Sequence, residues 1–598
     1  MTSYAPDRSL PRRPAAGAWC RPRGLAALVA LVALGIQAPL PATAAQLHDV
    51  VIRGGTIYDG SGGAPYAGEV AIDGDRIAYV GPSRGLEGRL VIDATGKAVA
   101  PGFINMLSWS VDSLIHDGLG QSELRQGVTL EVMGEGNSMG PLNERMKADA
   151  VRRQGDIRYP VDWTTLGEYL AGLEKRGVAP NVASFVGATS VRDYVLGEGD
   201  VQPTAAQLDE MRGLVRSAMQ EGALGVGASL IYAPASYAKT DELIALVTEA
   251  GRCGGMYITH MRSEGDRLVE AVAETIEIAR ASGAPAEIYH LKAAGRSNWA
   301  KLDTVIAMIE EARRQGVRIS ADMYTYIGGA TGLDAAMPPW VQDGGLEAWI
   351  ARMRDPAVRA KVIAEMRDPK PDWENLYGHA GADNTLLLGF KNPKLKPLTG
   401  RTLASVAKER GVSPEDAAID LVIEDGSRVD VAYMLMSEDN VRRQTALPWM
   451  SFGSDSAAQA PEGQFLLSNP HPRSYGTFAR LLAKYVRDER ALTLEDAIHR
   501  LTALPAANLS LADRGRLTAG YYADVVVFDP ASIQDHATFE RPHQYSTGVS
   551  DVLVNGTPAL RNGEPTGAKP GRFVRGRAWT GAEGGGCRAT SRDWVWAW

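Results

Sequence analysis

Two stretches thirty residues apart constrain the fold of this chain more than any other feature. GGMYITH and APAEIYH each carry a short apolar run to a histidine, so His260 and His290 are expected at the C-terminal ends of two buried strands. Between them, DRLVEAVAETIEIARASG repeats apolar residues at helical spacing and stops at glycine. Strand, helix and strand in that order form a right-handed crossover, which makes the two strands parallel neighbours. Imidazoles at the same end of adjacent parallel strands can converge on one ion. Either histidine alone would be read as a hydrogen-bonded strand end; the pair in this setting points to a metal.

The pattern recurs along the chain. Candidate strands are AVAPGFINM (98–106), GVTLEVMG (127–134), NVASFVG (181–187), ALGVGAS (223–229), GMYITH (255–260), AEIYH (286–290), VRISADM (317–323) and WMSFGSD (449–455). Eight such strands, separated by segments such as KLDTVIAMIEEARRQG, are the number that closes a (β/α)8 TIM barrel, although periodicity alone also permits an open doubly wound sheet. The 598 residues exceed one ordinary domain and suit a large barrel with an accessory domain. Short alternating strands broken by Gly-Gly, Asp-Gly and Thr-Gly over 49–99, and segments of the same character over 520–530 and 549–567, flank the middle, so one small β-sandwich built from both chain ends is expected. The expected order is an N-terminal β-sandwich segment over 46–100, the barrel over 101–506, a C-terminal β-sandwich segment over 507–578 and an irregular tail over 579–598. A long stretch between the seventh and eighth strands, about 330–445, reads as a mostly helical insertion able to cover the barrel mouth.

Residues 1–45 read as a signal peptide: Arg12, Arg13, Arg21 and Arg23 precede the apolar run LAALVALVALGI, and PATAAQ offers small residues for cleavage near Ala44 or Ala45. The arginine pair lacks apolar residues just after it, which favours general secretion over the twin-arginine route, and Cys20 lies before the apolar run, against a lipoprotein. The mature chain is therefore expected to be exported, periplasmic or secreted, with no membrane attachment. Only Cys253 and Cys587 would remain in it, enough for one disulfide but not for a disulfide framework. A formal net charge of −8, with no basic cluster outside the N-terminus, argues against nucleic acid and for a small-molecule substrate.

Polar residues fall at the strand ends where a barrel places its active site. The second strand ends in Gly134-Glu135-Gly136, the fifth in His260, the sixth in His290 with Lys292, the seventh in Asp322 followed by Tyr324 and Tyr326, and the eighth in Ser454-Asp455-Ser456. Glu135, His260 and His290 form an O,N,N ligand set that suits Zn2+ with a fourth position open to water. Asp455 is then placed to take the water's proton and pass it to a leaving amine.

Together with these residues, the blocks VAPGFI, YITHMRSEG, EIYHLK, FGSDS and HPRSYGTFARLL over roughly 48–575 resemble the N-acyl-D-amino-acid deacylase (D-aminoacylase) branch of the amidohydrolase superfamily. That resemblance implies a metal-dependent (β/α)8 barrel with a β-sandwich, hydrolysing the amide of an N-acylated D-amino acid. It implies that His260 and His290 are metal ligands, that Asp455 is the acid/base, and that Lys292, Tyr326 and Arg473 contact substrate. The chain departs from the family at two points. Where members carry His-x-His after the first strand, this sequence reads PGFINMLSWSVD, and neither Leu107 and Trp109 nor Ser108 and Ser110 replace the pair. Where members have Gly-Asn-Cys, it has Gly134-Glu135-Gly136. The expectation is one zinc per chain on Glu135, His260 and His290, as in the Glu, His, His site of some N-acetylglucosamine-6-phosphate deacetylases. Two alternatives stay open: a cyclic-amide hydrolase of the hydantoinase or dihydroorotase kind, and a non-catalytic binding protein on the same fold.

Overall fold

The computed structural model describes residues 47–368, 373–581 and 586–587. The expected signal peptide, 1–45, and residues 588–598 of the tail lie outside them. Eight parallel strands form the barrel: β1 (Phe103–Asn105), β2 (Val128–Met133), β3 (Asn181–Ser184, continued by Val186–Gly187), β4 (Gly225–Ser229), β5 (Met256–His260), β6 (Ala286–Ile288), β7 (Ile319–Met323) and β8 (Met450–Phe452). Each pairs in parallel with the next. The ring closes beyond β8 and β1, where Met106 N–H donates to Phe452 O at 3.2 Å, Asp455 N–H donates to Leu107 O at 2.8 Å, and Ser108 bridges Ser456 in parallel. All five residues of β5 and of β7 are buried, as expected for strands covered on one side by helices and on the other by the barrel interior. The helices start and stop where their sequence dictates. Thr204 and Gln207 form a reciprocal capping box at the head of Ala205–Glu221, and Gly283 ends Leu268–Ser282 in the left-handed conformation.

The expected single strand over 98–106 is two strands. Ala98–Pro101 pairs antiparallel with Val525–Phe528 in a separate sheet, and only Phe103–Asn105 enters the barrel. The break is at Gly102, where an added Cβ would lie 2.1 Å from Thr129 Oγ1, so the chain crosses from sheet to barrel at a point too tight for any side chain. That other sheet has nine strands drawn from both chain ends, including Leu47–Ile57, Tyr66–Asp73, Val525–Phe528 and Val549–Val554. Period-2 alternation explains how it docks. Val525 and Val527 join a cluster with Ile52, Val70 and Ile72, whereas Val526 and Phe528 face the barrel core, with the Phe528 ring edge-on to Phe103 at 6.2 Å.

The insertion is less helical than its sequence implies. Besides helices such as Pro356–Arg367 and Pro414–Asp425, it holds a three-stranded antiparallel sheet of Gly328–Gly332, Asp430–Met434 and Thr385–Gly389. GGATG has no apolar alternation to announce a strand, and the other two strands are only five residues each. Leu333, Leu387, Val431 and Tyr433 belong to the insertion's own apolar cluster. Cys253, at the end of the helix Thr240–Arg252, is disulfide-bonded to Cys587 across 334 residues of chain.

Phe528 is fully buried where the sheet meets the barrel. Phe528→Ala should therefore destabilise the chain by about 3–5 kcal/mol in urea unfolding; a loss below about 1 kcal/mol would show that the sheet does not depend on this contact.

Candidate metal centre

Glu135 leaves the end of β2 between two glycines in left-handed conformations, Gly134 at φ +105° and Gly136 at φ +67°. A Cβ on Gly134 would lie 2.3 Å from Phe185 O, and one on Gly136 would lie 2.5 Å from Ser229 Cβ. Only glycine fits this turn, and the turn carries the carboxylate into the barrel mouth. His260 closes β5. His290, just past β6, sits at φ +35°, and Asp455, past β8, at φ +49°. Such conformations cost a non-glycine residue about 1–3 kcal/mol and persist only when their surroundings hold them. Here the restraints are hydrogen bonds: His290 N–H donates to Asp322 Oδ1 at 2.9 Å, Leu291 N–H to Asp322 O at 2.9 Å, and Asp455 N–H to Leu107 O at 2.8 Å.

Among the described residues, Glu135, His260 and His290 form a group whose potential metal-binding atoms all lie within 4.8 Å of one another. Glu135 Oε1 is 3.1 Å from His260 Nδ1 and 3.2 Å from His290 Nε2. His260 Nε2 is buried without a hydrogen-bond partner. One buried carboxylate oxygen within 3.2 Å of a nitrogen on each of two buried imidazoles is a donor set that fits a divalent transition metal.

A second carboxylate, Glu264, stands behind the histidines. Its Oε1 is 3.0 Å from His290 Nδ1 and accepts a 2.6 Å hydrogen bond from Lys292 Nζ, while its Oε2 is 3.6 Å from His260 Nε2. With Nδ1–H of His290 directed at Glu264, the Nε2 lone pair is free for a metal, the arrangement by which carboxylates orient ligating histidines. The charges are mutually dependent. Burial would raise the Glu135 carboxyl, but hydrogen bonds from His260 and His290 and their charge outweigh it and hold it well below the usual range. Burial would raise Glu264 as well, and the charges of His260, Lys292 and His290 reverse the sign. Burial and the Lys292 ammonium would lower His290; Glu264, Asp455 and Glu135 outweigh them and raise it to about 10. The excess of negative charge that keeps a proton on this ring is the same charge that would hold a cation. Asp455 is raised, chiefly by burial, against the opposing pull of Arg473 and His290.

These groups open onto a cleft of about 660 Å³ whose far side is formed by the insertion, through Thr331, Trp349 and Arg428 among others. Arg473 lines it too, with Nη1 2.7 Å from Asp455 Oδ2 and the guanidinium 4.5 Å above the Tyr324 ring. Lys292 is in the cleft wall, but its ammonium donates to Glu264 Oε1 at 2.6 Å. Tyr326 is not in the cleft wall. Its hydroxyl donates to Asp535 Oδ2 at 3.3 Å and its ring lies under Arg480. Strand β7 ends at Met323, so the period-2 rule that would put residues 324 and 326 on one face no longer applies. Tyr324 lines the cleft instead, with a buried hydroxyl that has no hydrogen-bond partner.

Two further residues went unassigned in the sequence. Glu264 follows His260 by four positions in HMRSE, a spacing that carries no ligand signature of its own. Trp109, noted only as a poor substitute for histidine, donates from Nε1 to Glu135 Oε2 and to Asp455 Oδ1, each at 3.1 Å.

Comparison with known proteins agrees with this architecture. The pattern of the amidohydrolase family matches residues 90–559, and the chain belongs to that family. The D-aminoacylase of Alcaligenes xylosoxydans xylosoxydans is 33% identical over 534 residues, covering 88% of this chain and 98% of the relative. The N-acyl-D-glutamate deacylase of Bordetella bronchiseptica, solved with zinc and a phosphonate mimic of the tetrahedral intermediate, superimposes with a TM-score of 0.72 at 30% identity, over 89% of this chain and all of the other. A D-aminoacylase described as having a binuclear metal centre, with one-metal activation and second-metal attenuation, superimposes with a TM-score of 0.73 at 32% identity, over 88% of this chain and all of the other. Within the amidohydrolases, these relatives put the chain on the D-aminoacylase and N-acyl-D-amino-acid deacylase branch.

Removing the charge behind the histidines should loosen the centre. Glu264→Gln is expected to weaken retention of a divalent ion by about 10–100-fold, read by chelator competition. Unchanged retention would exclude Glu264 as a support for the ligands.

Proposed function

We propose that this chain is an exported, mononuclear zinc amidohydrolase that removes the acyl group from N-acyl-D-amino acids. The observation that carries the reading is the meeting of Glu135, His260 and His290 at the mouth of the barrel, with Asp455 bridged to Glu135 through one indole N–H. The D-configured substrate is supported by the relatives, which include deacylases of N-acyl-D-aspartate and N-acyl-D-glutamate. Zinc is supported by the O,N,N donor set and by the zinc in the related deacylase structure. A count of one is supported by the residues after β1, where Leu107, Ser108, Trp109 and Ser110 include no histidine.

When bound there, a zinc ion supplies Lewis-acid polarisation of the scissile carbonyl and activation of water. The side chains do the rest. Asp455 accepts a proton from the attacking water and delivers it to the amine nitrogen as the C–N bond breaks, so the new C–O bond and the lost C–N bond balance through one carboxylate. Tyr324, whose hydroxyl is free, donates to the carbonyl oxygen as charge builds on it, and takes the substrate contact that the resemblance implied for Tyr326. Arg473, with its planar fork beside Tyr324, receives the substrate carboxylate, whereas Lys292 acts mainly by fixing Glu264. Export is supported by the N-terminal signal pattern and by the Cys253–Cys587 disulfide, a bond that persists in oxidising compartments.

Asp455→Asn should lower kcat by about 10²–10⁴-fold on N-acetyl-D-amino acids while leaving zinc content unchanged. N-acetyl-L-amino acids should not be turned over by the wild type; equal rates on both enantiomers, or full activity in D455N, would defeat the reading. Export has its own check: the protein recovered from the periplasm or medium should begin near Gln46, and an intact Met1 terminus there would rule out cleavage.

A further inference from the structure

Trp109 occupies an unusual place for an apolar side chain. Its indole N–H is equidistant, at 3.1 Å, from Glu135 Oε2 and Asp455 Oδ1. One N–H cannot be collinear with two acceptors, so the contact is shared, and the two oxygens are aimed at a single point. Both carboxylates are buried, Glu135 at 4% and Asp455 at 8% exposure. Like charges brought so close out of water repel, and normally turn apart or share a cation or a proton. Here a neutral donor that cannot accept and does not titrate in the working range stands at that point.

The backbone around it is fixed from both sides. Trp109 N–H donates to Ser456 O at 2.9 Å, Asp455 N–H to Leu107 O at 2.8 Å, and Ser108 N–H to Val132 O at 2.8 Å. Residues 107–109 are thereby laced to the ends of β2 and β8, the strands that carry Glu135 and Asp455. Glu135 is divided between two tasks: Oε1 faces His260 and His290, and Oε2 faces the indole. The ring itself remains 38% exposed and lines the cleft, so it covers the space between the two carboxylates on the solvent side.

We propose that Trp109 is a built-in replacement for a second cation: its ring occupies the space beside Glu135 and Asp455 and so limits the centre to one ion, while its N–H fills the point on which the two carboxylates converge and positions Asp455. The inference rests on the metal-dependent reading above. It goes beyond that reading by assigning the place of a second ion to a specific side chain, whose ring fills the space and whose N–H holds the two carboxylates.

The test uses the full mature chain as wild type, Trp109→Phe and Trp109→His. Each is equilibrated with excess zinc and desalted, its zinc per chain is measured by mass spectrometry, and kcat and KM are determined on an N-acetyl-D-amino acid. Wild type should retain about one zinc per chain. Trp109→Phe keeps the ring and loses the donor. It should also retain one zinc, with kcat lowered about 10–100-fold and KM within about threefold. Trp109→His adds a ligand at the point of convergence and should take up a second zinc. Two zinc ions in the wild type, a Trp109→His chain that stays at one, or a Trp109→Phe chain that keeps wild-type kcat would each overturn the proposal. A wild type that binds one zinc but deacylates nothing defeats the substrate reading instead, and the zinc count of Trp109→His still decides whether the indole excludes an ion.

Discussion

Three carboxylates, Glu135, Glu264 and Asp455, are buried together at the mouth of the barrel, and the surrounding structure is arranged to make that tolerable. An ionised carboxylate taken out of water is strongly unfavourable unless it is paired and hydrogen-bonded. Each of the three has a different compensation. Glu135 has the two histidines and the indole, Glu264 has Lys292 and His290, and Asp455 has Arg473 and the same indole. Removing any one partner would leave charge stranded in the others' field. The group therefore behaves as a unit, and with both imidazoles neutral its three carboxylates outnumber the Lys292 and Arg473 cations, a balance that suits a divalent ion.

The barrel supplies the rigidity that such a unit needs. His290 and Asp455 are both held at positive φ, and both are held by hydrogen bonds to neighbouring strand ends, at Asp322 and Leu107 respectively. A loop free to relax would release that strain and move the imidazole or the carboxylate away from the centre. Glu135 achieves the same end differently, by placing the unusual backbone on Gly134 and Gly136, where it carries little steric cost. The nine-stranded sheet contributes at a distance. By anchoring Ala98–Pro101 against Val525–Phe528 it fixes the point at which β1 enters the barrel, and hence the path of residues 107–109 beside Asp455.

Much of this was legible in the sequence because it is periodic. Buried parallel strands separated by amphipathic helices announce themselves, and polar residues at their C-terminal ends pick out Glu135, His260, His290 and Asp455 as candidates. What was not legible depends on where periodicity stops. The strand over 98–106 looks continuous because Gly102 interrupts packing and not hydropathy. Tyr326 leaves the cleft wall and Tyr324 lines it because the strand ends at Met323, beyond which alternation no longer says which way a side chain faces. The insertion's sheet is hidden in Gly328–Gly332, which has almost no side chains to pattern. Glu264 and Trp109 are harder still. Most of their contacts are with residues 26 to 346 positions away, and Trp109 is informative only once its N–H is seen between two carboxylates.

The insertion is also more than a cover. Glu374 accepts a 2.6 Å hydrogen bond from the backbone N–H of Glu264, and Gly295 N–H donates to Leu435 O at 3.0 Å. The first contact reaches the residue that steadies both histidines, and the second ties the segment after Lys292 to the strand Asp430–Met434 through its next residue. The same insertion presents Thr331, Trp349 and Arg428 to the cleft. Residues that line the substrate space and residues that hold the ligand set are therefore joined through one packed body with its own apolar cluster. A change in the insertion that alters the cleft would be transmitted to Glu264 through its backbone, so side-chain selectivity and metal retention should not vary independently in this chain.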